Sequence, residues 1–218
     1  MMIKAIIFDF DGTIIDTESL WYRVFKEVLE ADYGVTLPLE QFAKVIGTTD
    51  ELLYEYINSQ SANPVEREEL TAKVSEKFTS YEDVLLLRDG VHEVMEEARD
   101  LGLKLAIASS SHREWVEGFL ERFQLHGYFE TIKTKEDVLR VKPDPALYLE
   151  AIKELDVKAE EALAVEDSVN GSLAAVTAGL HCVVIPNDVT SFMAFHEQTI
   201  RYDAFSMFKI REFLQQMS

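Results

Sequence analysis

Residues 3–18 read IKAIIFDFDGTIIDTE, a short apolar run that ends in Asp9 and Asp11 and then breaks at Gly12. The run Ile3 to Phe8 does not alternate and is too short for a helix, which suits a strand covered on both faces of a parallel sheet. Carboxylates are almost never fully buried unless they are paired or metal-bound. A strand that carries two of them into its own mouth therefore needs compensating charge at that mouth.

Four more runs of this kind follow: Leu103 to Ala108, Thr131 to Thr134, Ala162 to Val165 and Cys182 to Ile185. Between them lie the helical patterns GVHEVMEEARDLG, HREWVEGFLERFQLHG, PDPALYLEAIKELDV and NGSLAAVTAGL. Gly102 and Gly179 close two of these where a C′ glycine would stand. Trp115, Phe119 and Phe123 recur at i, i+4 and i+8, a stripe read as core. Strands alternating with helices predict βαβ units and a parallel sheet. From about Thr17 to about Tyr81 the patterns are helical only, beginning with SLWYRVFKEVLEADYG and ending with NPVEREELTAKVSEKFTSY. The simplest architecture is an α/β fold, a Rossmann-like parallel sheet core of residues 1–16 and 82–218, with an inserted α-helical cap of residues 17–81. The tail ends in an amphipathic pattern from Phe208 to Met217.

Composition narrows the function. With 218 residues, 47% of them hydrophobic, the chain can bury a sizeable core. Forty acidic against 21 basic residues give a formal charge of -19, which repels nucleic acid and anionic membrane alike. Neither is expected as a partner. Cys182 is the single cysteine and sits in an apolar run, so it reads as a core residue and not as a nucleophile or half of an internal disulfide. The start of the chain is too short for a signal-peptide core, and no stretch approaches the length of a membrane span. A cytoplasmic protein is expected; the oligomeric state is not legible.

Ligands of doubly wound sheets bind at the carboxyl ends of the strands, so the residues each run delivers there are the candidates. The first run delivers Asp9 and Asp11, the second Ser109, Ser110 and Ser111, the loop after the third Lys142 in VKPDP, and the fourth Glu166 and Asp167. Acids, hydroxyls and one lysine are the inventory of a phosphoryl-transfer site, where positioning and charge neutralisation do most of the catalysis. A hard cation with oxygen ligands would bring the carboxylates together. Four carboxylates in one crevice oppose each other; Mg²⁺ and Lys142 offset three of the charges. A protonated Asp11 would close the count and could serve as general acid.

Four ordered segments, DFDGTIIDTE at Asp9 to Glu18, LAIASSS ending at Ser111, KPDP from Lys142 and VEDS at Val165 to Ser168, resemble the haloacid dehalogenase superfamily of phosphotransferases. More closely they resemble its β-phosphoglucomutase-like branch, which carries a helical cap between the first and second motifs. That resemblance implies an Mg²⁺-dependent phosphatase acting on a small phosphorylated metabolite, sugar phosphates being the leading class. It implies Asp9 as the nucleophile that forms an aspartyl-phosphate, and Asp11 as the residue that protonates the leaving oxygen and then activates water. It implies Thr13 as a residue holding Asp11 and belonging to the phosphate site, Ser109 and Lys142 as phosphoryl-binding residues, and Asp9, Asp11 through its backbone carbonyl, Asp167 and Glu166 at the metal. Mg²⁺ takes few carboxylates and keeps several waters, which suits so short a ligand set. Gly12 then permits a sharp turn and close backbone approach at the phosphate.

Two departures separate this chain from the mutases of that branch. They carry a histidine on the first cap helix, where this chain has Trp21, and an arginine after a cap glycine, where this chain reads IGTTDE from Ile46. A phosphatase is therefore expected ahead of a sugar-phosphate mutase, and both ahead of a catalytically idle binding module. Specificity is expected to lie in Trp21, Thr48, Thr49 and His112. The plainer structural roles go to Asp16 as a turn acceptor, Ser168 as a helix cap, Ser110 and Ser111 as loop residues, and Asn170 and Gly171 as a helix start.

Overall fold

The computed structural model describes residues 2–216. Six parallel strands form one sheet: β1 (Ala5–Phe8), β2 (Lys104–Ala108), β3 (Thr131–Lys133), β4 (Ala162–Glu166), β5 (His181–Val184) and β6 (Thr199–Arg201), in the order β3-β2-β1-β4-β5-β6. β1 lies between β2 and β4, with Ala5 in register with Lys104 on one side and Ala162 on the other. The chain grows from β1 outward through β2 and β3, then crosses back and grows the other way through β4. The crevice at the carboxyl end of β1 is thus the point where strand order reverses, the place such sheets bind ligands.

The sheet has two unlike faces. Ile6, Phe8, Leu105, Ile107, Leu163, Val165 and Val183 make one, and Ala5, Ile7, Ala106, Ala108, Ala162 and Ala164 make the other. On the small-residue face, α7 (Ala146–Glu154) and α8 (Val169–Thr177) seat Leu147, Tyr148, Ala151, Ala174 and Ala175 against the sheet. The bulkier face carries Val91, Val94 and Met95 of α5 (Val91–Asp100) and Val116, Phe119 and Leu120 of α6 (Arg113–Arg122). This is the doubly covered strand pattern read from the apolar runs.

Between β1 and β2 the chain forms α1 (Thr17–Val28), a π-turn over Leu29–Tyr33 that ends at left-handed Gly34, α2 (Leu39–Phe42), α3 (Glu51–Gln60) and α4 (Arg67–Thr79). The helical-only reading of this stretch holds. The two passages that join it to the sheet lie side by side: Ile15 and Leu87 form an antiparallel bridge, and the Arg88 amide donates to the Ile14 carbonyl at 2.9 Å.

Two corrections concern the C-terminal third. β6, three largely exposed residues in a polar stretch, was not expected; it pairs with β5 as an edge strand whose sequence carries no apolar run to mark it. The tail helix α9 spans Ile210–Gln216 and starts two residues after the expected Phe208; Met217 lies outside the described residues. Among the described residues no helix is long and apolar enough to cross a membrane. Cys182 is buried and free, as its apolar run implied.

Candidate active site

The turn after β1 is built around Gly12. Its φ is +80°, a left-handed conformation that favours glycine. A Cβ there would stand 2.3 Å from Asp167 Oδ2 and 2.8 Å from Asn187 Nδ2, so both the backbone and the space exclude a side chain. The turn is fixed from outside by Arg88, whose guanidinium donates to the carbonyls of Gly12, Ile185 and Pro186, each at 2.7 Å. Arg88 thereby ties the loop after β1 to the loop after β5.

Beneath the turn lies a buried charge cluster. Lys142 Nζ donates to Asp9 Oδ1 at 2.5 Å and to Glu166 Oε1 at 2.7 Å, and Tyr148 adds its hydroxyl to the same Glu166 oxygen at 2.6 Å. Glu166 Oε2 accepts from the Asp167 and Ser168 amides and from Ser168 Oγ. Asp167 accepts from Thr13 Oγ1 at 3.2 Å and Asn187 Nδ2 at 2.7 Å. One carboxylate oxygen from each of Asp9, Glu166 and Asp167 lies within 4.8 Å of the others, a grouping able to hold a metal ion.

The electrostatics of this cluster are those of too much negative charge in too little water. Burial pushes Asp9 up to about 7; the Lys142 ammonium opposes that shift and Glu166 adds to it. Asp167 is pushed well above its ordinary value, first by burial and then by Asp9 and Glu166. For Lys142 burial acts downward, but Asp9 and Glu166 outweigh it and leave the ammonium raised. Fully ionised, three carboxylates against one ammonium would leave about two uncompensated negative charges, and hard oxygen donors carrying that charge fit a divalent cation such as Mg²⁺.

Asp11 stands apart from this cluster, facing a cavity of about 360 Å³. Its Oδ1 accepts from Thr17 Oγ1 at 2.7 Å and Trp115 Nε1 at 2.8 Å, and its Oδ2 from Ser111 Oγ at 2.5 Å. Asp9, Glu18, Trp21, Thr48, Ser109, His112 and Trp115 line the cavity with it. Its volume is that of a small-metabolite site.

The structure brings Asp9, Asp11, Ser109, Lys142, Glu166 and Asp167 into one neighbourhood, with Trp21, Thr48 and His112 around the opening. Thr13 behaves differently from expectation. It is fully buried and its hydroxyl faces Asp167, because the Gly12 turn directs it inward; Thr17, in the first turn of α1, is the threonine that bonds to Asp11. Thr49 is exposed and bonds to Glu51, outside the cavity. His112 reaches the rim, where its Nδ1 lies 2.7 Å from Glu136.

Several residues assigned plain structural roles reach further than that. Ser111 holds Asp11, Ser110 Oγ donates to the Gly47 carbonyl at 3.0 Å, and Asn170 Nδ2 donates to the Ile46 carbonyl at 2.8 Å. Trp115 is not merely core: its ring joins the apolar stripe while its N–H meets Asp11. Ser168 caps α8 as expected, accepting from the Gly171 amide, and Asp16, expected as a turn acceptor, is the N-cap of α1, accepting from the Ser19 amide. Asn187, which bonds to Asp167, is not among the expected residues although it follows the fifth apolar run, at the same carboxyl edge of the sheet as the other strand-end residues. Glu18 and Arg88 carry no comparable signal.

A family model described as haloacid dehalogenase-like hydrolase matches residues 6–185. Among curated relatives, YhcW of Bacillus subtilis (strain 168) is 43% identical over 100% of this chain and 99% of its own length. Hexitol phosphatase B of Escherichia coli (strain K12) is 31% identical, covering 84% of each chain. Among solved structures, CbbY from Rhodobacter sphaeroides in complex with phosphate is 31% identical with a TM-score of 0.78, covering 94% of this chain and 96% of that one. A mutant of CbbY was solved in complex with xylulose-(1,5)bisphosphate; it is 30% identical, with the same coverage and a TM-score of 0.79.

Proposed function

The chain belongs to the haloacid dehalogenase-like hydrolases, and within that family we propose that it is an Mg²⁺-dependent phosphatase of small phosphomonoesters, sugar phosphates foremost. One observation carries the reading: Asp9 and Asp11 leave the same strand end, yet one is locked to a buried ammonium and the other is held by neutral donors at a metabolite-sized cavity. Two carboxylates in such different surroundings suit two different roles. The relatives add weight, since hexitol phosphatase B acts on a phosphorylated polyol by its name and CbbY was solved with a sugar bisphosphate.

In this reading Asp9 is the nucleophile. Lys142 holds its Oδ1 and orients it, and Glu166, gripped by Tyr148 and Ser168, orients Lys142 in turn. Asp9, Asp167 and the Asp11 backbone carbonyl would hold Mg²⁺. Both oxygens of Glu166 already accept hydrogen bonds from protein groups, which favours a supporting place beside the metal. Bound there, the cation would neutralise charge on the transferring phosphoryl group. Asp11 gives its proton to the leaving oxygen as the substrate's P–O bond breaks and the acyl phosphate forms on Asp9, then takes one from the water that hydrolyses that acyl phosphate. Ser109 lies at the cavity to hold phosphoryl oxygens. Thr17, Ser111 and Trp115 keep Asp11 aimed throughout.

We assign residues 17–81 as a cap over residues 1–16 and 82–218, hinged where Ile15 pairs with Leu87. Closure of such a segment would exclude bulk water and set specificity. The buried free thiol of Cys182 suits a reducing, cytoplasmic setting.

The test is release of phosphate from a panel of sugar and polyol phosphates with Mg²⁺, following free phosphate and isomerised product together. Free phosphate that disappears with chelator and with Asp9→Asn is the expected result. Isomerised product without phosphate would replace this reading with a mutase, and binding without either product with an idle module.

A further inference from the structure

Three carboxylates line the cavity, and two of them are spoken for: Asp9 by Lys142, Asp11 by Thr17, Ser111 and Trp115. The third is Glu18. It sits in the first turn of α1, half-buried in the cavity wall, and among the described residues no group donates a hydrogen bond to it or pairs with its charge. An acid in a helix's first turn ordinarily serves the macrodipole from the solvent side. Glu18 is placed otherwise: burial, then Asp11, Asp9 and Asp16, push its carboxyl well above the ordinary range. An unpartnered carboxyl in a wall shared with two other acids is costly unless something that enters the cavity satisfies it.

The chemistry of that something is constrained by the neighbours. A second anionic group beside Glu18 would meet three carboxylates, Glu18, Asp11 and Asp9, against a single lining ammonium, Lys135, and be repelled. A purely apolar arm would leave the carboxyl as unsatisfied as before. Hydroxyl groups fit, because they donate to a carboxylate and accept from a carboxylic acid, so they match Glu18 in either protonation state. The rest of the wall suits the carbon chain that bears them: the indoles of Trp21 and Trp115, 6.0 Å apart between ring centroids, offer apolar surface, and Thr48 offers a further hydroxyl.

We infer that Glu18 is a specificity-determining residue of this site, taking hydrogen bonds from the hydroxyl groups of a phosphorylated polyol or sugar whose C–H faces pack on Trp21 and Trp115. The inference rests on the phosphatase reading and deepens it, naming the side chain that would tell a hydroxylated ester from a plain one. A site built to bond a substrate hydroxyl discriminates strongly against the analogue that lacks it, because its own polar group is then left bare.

The experiment compares the full-length protein with Glu18→Ala and Glu18→Gln on a hexitol 6-phosphate, a straight-chain alkyl phosphate without hydroxyls and phosphoethanolamine. With Glu18→Ala, the ratio of kcat/KM for the hexitol ester over the alkyl ester should fall by about tenfold or more, chiefly through KM. Glu18→Gln, which keeps an acceptor and a donor, should recover part of it. Equal losses on both esters, or a loss confined to phosphoethanolamine, would overturn the assignment, the latter in favour of an ammonium. A parallel binding measurement in the Asp9→Asn background reads quenching of Trp21 and Trp115 by the hexitol ester, with and without Glu18→Ala. If the wild type releases phosphate from no ester, the phosphatase reading fails alone, and the binding comparison still decides Glu18: weaker binding of the hexitol ester supports it, unchanged binding overturns it.

Discussion

Trp115 Nε1 donates to Asp11 Oδ1 at 2.8 Å across 104 positions of sequence. The indole that makes this bond packs 5.5 Å from Phe78 and 6.0 Å from Trp21, and Trp21 in turn stacks on Phe78 at 3.9 Å. Phe78 belongs to α4 and Trp21 to α1, so the ring that aims Asp11 is itself seated against the helical segment. Where that segment sits and where Asp11 points are therefore linked through one side chain.

Trp115→Phe keeps the ring and removes the donor. A hydrogen bond to a charged group contributes about 1.5–3 kcal/mol, and about 1.4 kcal/mol of that lost from the transition state alone is tenfold in rate. Steady-state kinetics should show kcat about tenfold lower or more, with KM within about twofold. A rise in KM at unchanged kcat would mean that the indole acts through substrate packing alone and does not aim Asp11.

The same substitution at two helical glycines should act in opposite directions. At Gly171 a Cβ would lie 1.9 Å from Glu166 Oε1 and 2.1 Å from Oε2, so alanine must displace a fully buried carboxylate that holds Lys142. Breaking a buried ion pair costs about 3–5 kcal/mol, against about 1 kcal/mol gained from helix propensity. Gly118, in α6, has nothing within 4 Å of its would-be Cβ. Thermal melts should show Gly171→Ala strongly destabilised and Gly118→Ala equal to the wild type or slightly more stable; equal shifts in both would contradict the packing described for Glu166.

How far the sequence carried this molecule depends on whether a residue's role is fixed along the chain or across it. β1, β2, β4 and β5 were legible because each is dominated by a short apolar run that is buried on both faces. β6 was not, because an edge strand with exposed Ile200 and Arg201 needs no such run. The acids at strand ends were legible, since topology alone sends them to one crevice. Thr17 takes the role expected of Thr13 because the Gly12 turn, not sequence distance, decides which hydroxyl faces Asp11. Trp115 read as core because a period of four reports which face of a helix is apolar and says nothing of where an indole N–H points. Glu18, next to a helix start, looks in sequence like any first-turn acid.

The turn at Ile46 to Thr48 lies flush on the loops around the site. Asn170 Nδ2 and Ser110 Oγ bond to the Ile46 and Gly47 carbonyls, and a Cβ at left-handed Gly47 would come within 2.5 Å of Ser168 Oγ. Because Thr48 lines the cavity, loosening this turn should weaken substrate capture more than chemistry. One neutral hydrogen bond contributes about 1 kcal/mol, so Asn170→Ala should raise KM about fivefold and leave kcat nearly unchanged. Gly47→Ala, which adds a clash to positive φ, should raise KM further. Unchanged KM in both would show that the turn does not govern access.

Asp9 gives the protein a dependence on pH that a divalent cation should reverse. In the metal-free protein its carboxyl is pushed up to about 7, by burial first and against the pull of Lys142, whereas an unfolded chain holds it near 3.9. Between those values the folded state binds the extra proton, so this contribution to stability is full below about pH 4, declines as pH rises toward 7 and is flat above it. A cation needs the ionised carboxylate, so its binding is weakened by acid. Melting temperatures with chelator should therefore fall from pH 4 to 7 more steeply in the wild type than in Asp9→Asn, which lacks the titrating group. Added Mg²⁺ should raise the wild-type melting temperature more at pH 8 than at pH 5. If the wild type and Asp9→Asn share one slope, or Mg²⁺ stabilises equally at both pH values, then Asp9 neither carries the raised carboxyl nor binds the ion.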